Sequence, residues 1–209
     1  MRVQVAASVF ADVLDGLRDG SLDVSFVYLP LNEPDIHVTP LFDEPRLVVM
    51  AAGHPLAGRE SLRPEDLASE TFLTQPPSMP VEWCDFWMLV DELGGRPPVS
   101  PNLAPNMEQW LHLLARGDGI DTAPAIVERY YSWPQIAFVP LEGAPPATLA
   151  LARMADADDP VVSAFERVTL NVVRGVPAPV SHVDLSCPAH DDSRIDVASP
   201  VRRTDDLVP

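Results

Sequence analysis

Two stretches of this chain repeat one short pattern: LRDGSLDVSFVYLP at residues 17–30 and LARGDGIDTAP at residues 114–124. In each, an apolar helical face ends at an Arg, a Gly breaks the helix, and an apolar run follows that stops at a Pro. Glycine suits a helix C-terminus because it takes positive φ without a Cβ clash. Proline closes a strand because it has no N–H for the ladder. A third apolar run, Thr71–Thr74, stops at Gln75-Pro76-Pro77. Strands that follow helices and end alike restrict the fold to an α/β class with mostly parallel sheets, one such unit in each of two lobes. Ligands on such sheets sit beyond the carboxyl ends of the strands.

The remaining pattern fills in around these units. Val3-Gln4-Val5 alternates as a strand, and Val9, Phe10, Val13, Leu14 and Leu17 form one helical face behind Ser8. Residues 34–53 read as two strands broken by Pro40 and by Asp43-Glu44-Pro45, with Leu47–Ala52 apolar enough to be buried on both faces. A short helix starts near Pro64. Val81–Leu93 is one helix carrying Trp83, Phe86 and Trp87, a stripe that could line a pocket but is more often core, and Pro105–Arg116 is another, capped by Asn106. A short strand at Gly119–Ala123 and a helix at Pro124–Tyr131 follow, then strands at Gln135–Leu141 and Thr148–Met154. A last helix from Asp159-Pro160 presents Val162, Phe165, Val168 and Val172. Residues 175–209, rich in Pro and without periodicity, read as a disordered tail.

Charge and motifs exclude several functions. The net charge is −17, all 14 basic residues are Arg, and they form no cluster that would neutralise a phosphate backbone. No apolar run is long enough to cross a bilayer, and the N-terminus is a poor export signal, so no membrane contact and a cytoplasmic location are expected. Cys84 and Cys187 stand far apart in unlike segments and read as reduced structural thiols. No nucleophile elbow, metalloprotease, phosphate-loop or dinucleotide motif occurs, so no enzyme, metal or cofactor is expected. His54 lies in a loop, His112 on a helix, and Asp43-Glu44 and Glu65-Asp66 read as solvated surface. The strand-end loops offer hydroxyls and an amide at Thr74, Gln75, Ser78 and Thr122. The helix starts near Asn106 and Ile126 would aim backbone N–H groups at the same place, an arrangement that attracts carboxylates.

Four segments in order, DGLRDGSLDVSFVYLP, VTPLFDEPRLVVMAAGHPLAGRESLRPEDLASETFL, LLARGDGIDTAPAIV and IAFVPLEGAPPATLALAR, resemble the effector-binding domain of LysR-type transcriptional regulators over about residues 3–174. The resemblance implies a periplasmic-binding-protein-like fold: two α/β lobes joined by two crossing strands, the crossings near Val49–Ala52 and Leu149–Arg153. It places lobe I at residues 1–50 and 151–174, and lobe II at 51–150. It implies a small organic effector, with a carboxylate among the candidates, held between the lobes and shifting the population of two states. The expected contacts are Leu29 and Pro30 from lobe I, and Thr74, Gln75, Ser78, Asn106 and Thr122 from lobe II. Relatives of this kind begin with a winged helix-turn-helix and a first strand–helix unit, so lobe I here is expected to be truncated and the chain to make no DNA contact itself. Such domains pair, so homo- or hetero-oligomers are expected. Two other readings of the same residues are an interaction module that joins a full-length regulator, and a fragment from a misplaced start codon.

Overall fold

A computed structural model of the chain describes residues 4–5 and 12–175. Gln4 and Val5 carry no regular structure. Val3, the expected cap Ser8, helix residues 9–11 and the expected tail from Val176 onward lie outside the described residues.

The first unit is built as its sequence suggests, with a shorter strand. Helix α1 (Val13–Arg18) buries Leu17. The turn is tied by Asp19, which accepts the Ser21 N–H at 2.8 Å, while Gly20 takes φ 75°. The Leu22 N–H then goes back to the Gly16 carbonyl at 2.8 Å. A Cβ at Gly16 would lie 2.8 Å from the tip of the Leu22 side chain, so a larger residue here would push that side chain aside. Leu22 is thereby held against the helix, and strand β1 is only Ser25–Tyr28. The Leu29–Pro30 peptide that follows is cis.

Residues 34–53 hold two strands, as expected, but they part at Pro45 alone: strand β2 (Ile36–Glu44) runs through Pro40. Pro40 pairs with Ala150, and the register shifts only between Pro40 and Phe42. The expected break fails because β2 is an edge strand, where a missing N–H costs little. Strand β3 (Arg46–Ala51) is buried from Arg46 through Met50. A 3-10 turn at Pro64–Leu67 and strand β4 (Phe72–Thr74) follow. The helix expected over Val81–Leu93 is two, α2 (Val81–Trp87) and α3 (Val90–Leu93), because Leu89 takes φ 59°. That kink drives the Leu89 side chain into the core, where it is fully buried. Strand β5 (Val99–Leu103) has no counterpart in the sequence reading. Helix α4 (Met107–Arg116) is capped by the Asn106 side chain, which accepts the Gln109 N–H, and it ends at Gly117 with φ 76°. Strand β6 (Asp121–Pro124), helix α5 (Ile126–Tyr130), strands β7 (Ile136–Pro140) and β8 (Ala147–Met154), and helix α6 (Pro160–Gly175) complete the order. On α6 only Val162 of the expected apolar face is buried; Val168 and Val172 are exposed. The helix leans on β2 and β8 through Glu166, which accepts from Thr39 and pairs with Arg153.

The strands form two principal sheets, β1-β8-β2 and β6-β3-β7. The parallel pair β4-β5 joins the second through Leu73 N–H to Ile120 O and Ile120 N–H to Thr71 O, both at 2.8 Å. The expectation of mostly parallel sheets is corrected: every ladder within the two principal sheets is antiparallel. Each sheet has one apolar strand, β8 or β3, threaded through its middle against the direction of its neighbours. The crossings also move. Glu44 still pairs with Ala147 in the first sheet, whereas Arg46 pairs with Pro124 in the second, so the chain changes sheet at Pro45. It returns between Pro140, opposite Leu47, and Ala147. Val49–Ala51 and Leu149–Arg153 therefore lie inside the sheets, not between them.

The core follows β3's alternation. Val48 and Met50 pack with Leu62, Leu67, Phe72 and Ile120 on one face. Val49 packs with Leu73, Leu114 and Val127 on the other. Full burial of such side chains contributes roughly 1.5–3 kcal/mol each, which fixes the ends of β4 and β6 side by side.

Candidate functional site

A cavity of about 170 Å³ opens where β1, β4 and β6 end and where α2, α4 and α5 begin. Its walls include Tyr28 from the first sheet and, from elements of the second, Gln75, Trp83, Trp87, Asn106, Trp110, Asp121 and Thr122.

Asp121 is the cavity's charged wall and is only 2% exposed. One carboxylate oxygen, Oδ2, accepts the Trp110 indole N–H at 2.7 Å and the Gln75 amide at 3.0 Å. The other, Oδ1, accepts the backbone N–H of Thr122 at 2.8 Å. Burial pushes this carboxyl up to about 7, while the three donors and the nearby Arg46 act in the opposite direction.

Arg46 lies behind this wall. Its Nη2 donates to Thr122 Oγ1 at 2.8 Å and to Phe86 O at 2.7 Å. Its guanidinium carbon sits 4.1 Å from the Phe86 ring centre and 5.3 Å from that of Trp87. Nε and Nη1 are buried without hydrogen-bond partners, and burial pulls the guanidinium down to about 10. Thr122 passes the network on, donating to Trp87 O at 2.6 Å.

Tyr28, Trp83 and Trp87 meet edge to face, with ring centres 5.9 and 5.6 Å apart for Tyr28–Trp87 and Trp83–Trp87. The Trp83 N–H donates to Tyr28 O at 3.1 Å. At the crossover, Glu44 accepts the Tyr28 hydroxyl at 3.0 Å and the Ile126 N–H at 3.1 Å, linking β1 to the start of α5.

Of the seven residues singled out from the sequence, Gln75, Asn106 and Thr122 come together on the cavity. Thr74 lies one residue before, its hydroxyl donated to Ser100 O. Ser78 is exposed, and Leu29 is not among the lining residues. Pro30 borders a separate hollow with Phe86 and the acids Glu82, Asp85, Asp91 and Glu92. The sequence reading does not single out Asp121, Arg46 or Trp110; for Trp83 and Trp87 it holds a pocket role below a core one, and the two are both buried and on the cavity wall. One signal was in view: Arg46 abuts an all-apolar strand, a place where a charge needs a reason. Among the described residues, no group of side chains suited to a metal ion occurs and no helix is long and apolar enough to cross a membrane.

Solved structures share this fold. The effector binding domain of QuiR in complex with shikimate aligns with a TM-score of 0.64 and 20% identity, over 80% of this chain and 79% of that one. The BenM effector binding domain with its effector benzoate aligns with a TM-score of 0.60 and 22% identity, over 84% of this chain and 82% of that one. The fold is thus the periplasmic-binding-protein-like α/β fold of those domains. Residues 1–174 match the LysR substrate binding domain, and the chain belongs to that family. The HTH-type transcriptional regulator MetR of Escherichia coli (strain K12) is 31% identical over 169 residues, 79% of this chain and 52% of MetR. The chain spans about half the length of such relatives.

Proposed function

We propose that this chain is the small-molecule effector-binding regulatory domain of a LysR-type transcriptional regulator, and that the effector occupies the cavity beside Asp121. The supporting observation is that this cavity is walled from both principal sheets, by Tyr28 on β1 and by the ends of β4 and β6. The lobes divide where the chain changes sheet, at Pro45 and again before Ala147. A ligand touching both sides favours one relative placement of the lobes, and by differential affinity it shifts their population. The domain works in the cytoplasm, as part of an oligomer, and does no chemistry on its ligand. DNA contact is not a task of the described surface, whose charge is strongly acidic.

Three tryptophans line the cavity, so ligand entry is read by their emission. Titration of a panel of small organic acids, amines and neutral aromatics is expected to yield at least one saturable ligand whose binding is lost in Met107→Trp, which fills the cavity from a half-buried wall. A folded protein that responds to no member of the panel would rule out a working site.

A further inference from the structure

We propose that the effector is an organic cation, a protonated or quaternary amine with a small apolar body, seated with its charge against Asp121 among the surrounding indoles. This rests on the reading of the cavity as the effector site and adds the ligand's charge.

The first observation is the sign of the cavity. Among the described residues, Asp121 is its only carboxylate, and no Arg or His lines it. The three hydrogen bonds to Asp121 occupy three of the roughly four acceptor positions of a carboxylate, and the open one is on Oδ1. A ligand N–H fits there.

The second is that most of the side-chain donors an anion would need are already used, leaving the Asn106 amide and one Gln75 N–H. The Gln75 amide and the Trp110 indole donate to Asp121. The hydroxyls of Thr122 and Tyr28 donate to Trp87 O and Glu44, and the Trp83 indole to Tyr28 O. The nearest cation, Arg46, reaches Thr122 from behind, and its two unpartnered nitrogens are sealed from the cavity. A carboxylate entering here would meet a carboxylate first, at a cost that rises as the local dielectric falls.

The third is the aromatic wall. Tyr28, Trp83, Trp87 and Trp110 surround the space, and aromatic ring faces attract a desolvated cation. An apolar body with a single positive charge matches both features.

The charge relation also sets a pH dependence. The titratable groups near Asp121 are Arg46 on β3 and Cys84 on α2, whose thiol burial pushes up to about 11, and Tyr28 across the cavity, raised further by Glu44. Arg46 keeps its charge, and the thiol and phenol stay neutral, throughout the range where Asp121 ionises. A cation therefore binds more tightly as pH rises through about 7.

The test uses three ligands with one ring and different charge, benzylamine, benzyl alcohol and benzoate, with tetramethylammonium as a compact cation, titrated calorimetrically into the full chain. A cation is expected to bind at least about tenfold more tightly than the alcohol, and benzoate most weakly, with the cation about tenfold weaker at about pH 5.5 than at about pH 8. Asp121→Asn is expected to bring cation and alcohol level. Where that variant does not fold, the ranking and pH profile of the unaltered chain decide. Benzoate or alcohol binding more tightly than either cation overturns the cation assignment and leaves the effector cavity standing. Absence of binding by every ligand, across the wider panel too, overturns both.

Discussion

The Trp110 indole and the Asp121 carboxylate meet at 2.7 Å across the turn that joins α4 to β6. One residue faces inward from the helix, the other opens the strand, and Gly117 with φ 76° lets the chain double back between them. The contact turns a helix stop and a strand start into one wall of the cavity.

Asp121 gives folding a pH dependence of definite sign. Its carboxyl titrates at about 7 when folded and at about 4 when unfolded. Between those values the folded chain takes up a proton that the unfolded chain does not. The stabilisation is therefore complete below about pH 4 and is lost as pH rises through about 7. Asp35 and Glu166, which partners hold below the usual carboxylate range, titrate beneath this window. Urea unfolding is expected to show a lower midpoint at about pH 8 than at about pH 5.5. Asp121→Asn should flatten that difference and lower stability at both by about 1–3 kcal/mol, since an amide cannot accept from all three donors.

Arg46 is a buried charge without a carboxylate in contact. Arg46→Met, of similar shape and no charge, is expected to leave stability unchanged or raise it by about 1 kcal/mol, since desolvation of a lone guanidinium outweighs its few hydrogen bonds. Arg46→Ala should cost about 2 kcal/mol or more by leaving a void beneath Phe86 and Trp87. A Met variant that unfolds as readily as the Ala variant would show that the guanidinium's bonds matter more than its packing.

Thr122 joins Arg46 to Trp87. Thr122→Val keeps the shape and takes one hydrogen bond from each partner, leaving Arg46 Nη2 with Phe86 O and Trp87 O with only the long 3.4 Å contact from Arg46, so chemical denaturation should register a loss of about 1 kcal/mol.

Gly119 touches a neighbouring strand. A Cβ there would lie 2.9 Å from the Thr71 carbonyl and 3.2 Å from the Leu73 nitrogen, both backbone atoms that cannot swing aside. Gly119→Ala is expected to cost about 1–3 kcal/mol, as overpacking does elsewhere. Gly117→Ala, with open space but φ 76°, should cost about 1 kcal/mol through backbone strain alone. Thermal melts of the two variants separate the causes.

Leu114 is fully buried on the inner face of α4. Leu114→Ala should lower unfolding free energy by about 2–5 kcal/mol and, by loosening α4, weaken any ligand seen by the Trp110 emission.

Local chemistry made much of this legible in advance. The Asn106 cap, the Gly117 stop and the doubly buried β3 each depend on residues within a few positions of one another, and the structure has all three. The family pattern over about residues 3–174 pointed to the fold class. What the sequence could not state was pairing. Pro40 interrupts a strand only where its missing N–H is needed, and that depends on β2 lying at an edge. Leu89 reads as helical until the core claims its side chain. The crossover at Pro45 appears only once Glu44 and Arg46 are seen to pair in different sheets. In the site, Gln75, Asn106 and Thr122 were in view because strand and helix ends announce themselves. Asp121, Arg46 and the indoles were not, because burial and partners, not residue type, give a side chain its role. An aspartate that looks like a strand-end turn becomes a carboxyl pushed up to about 7 only when elements distant in sequence pack over it and remove it from water, against the opposing pull of Trp110, Gln75 and Arg46.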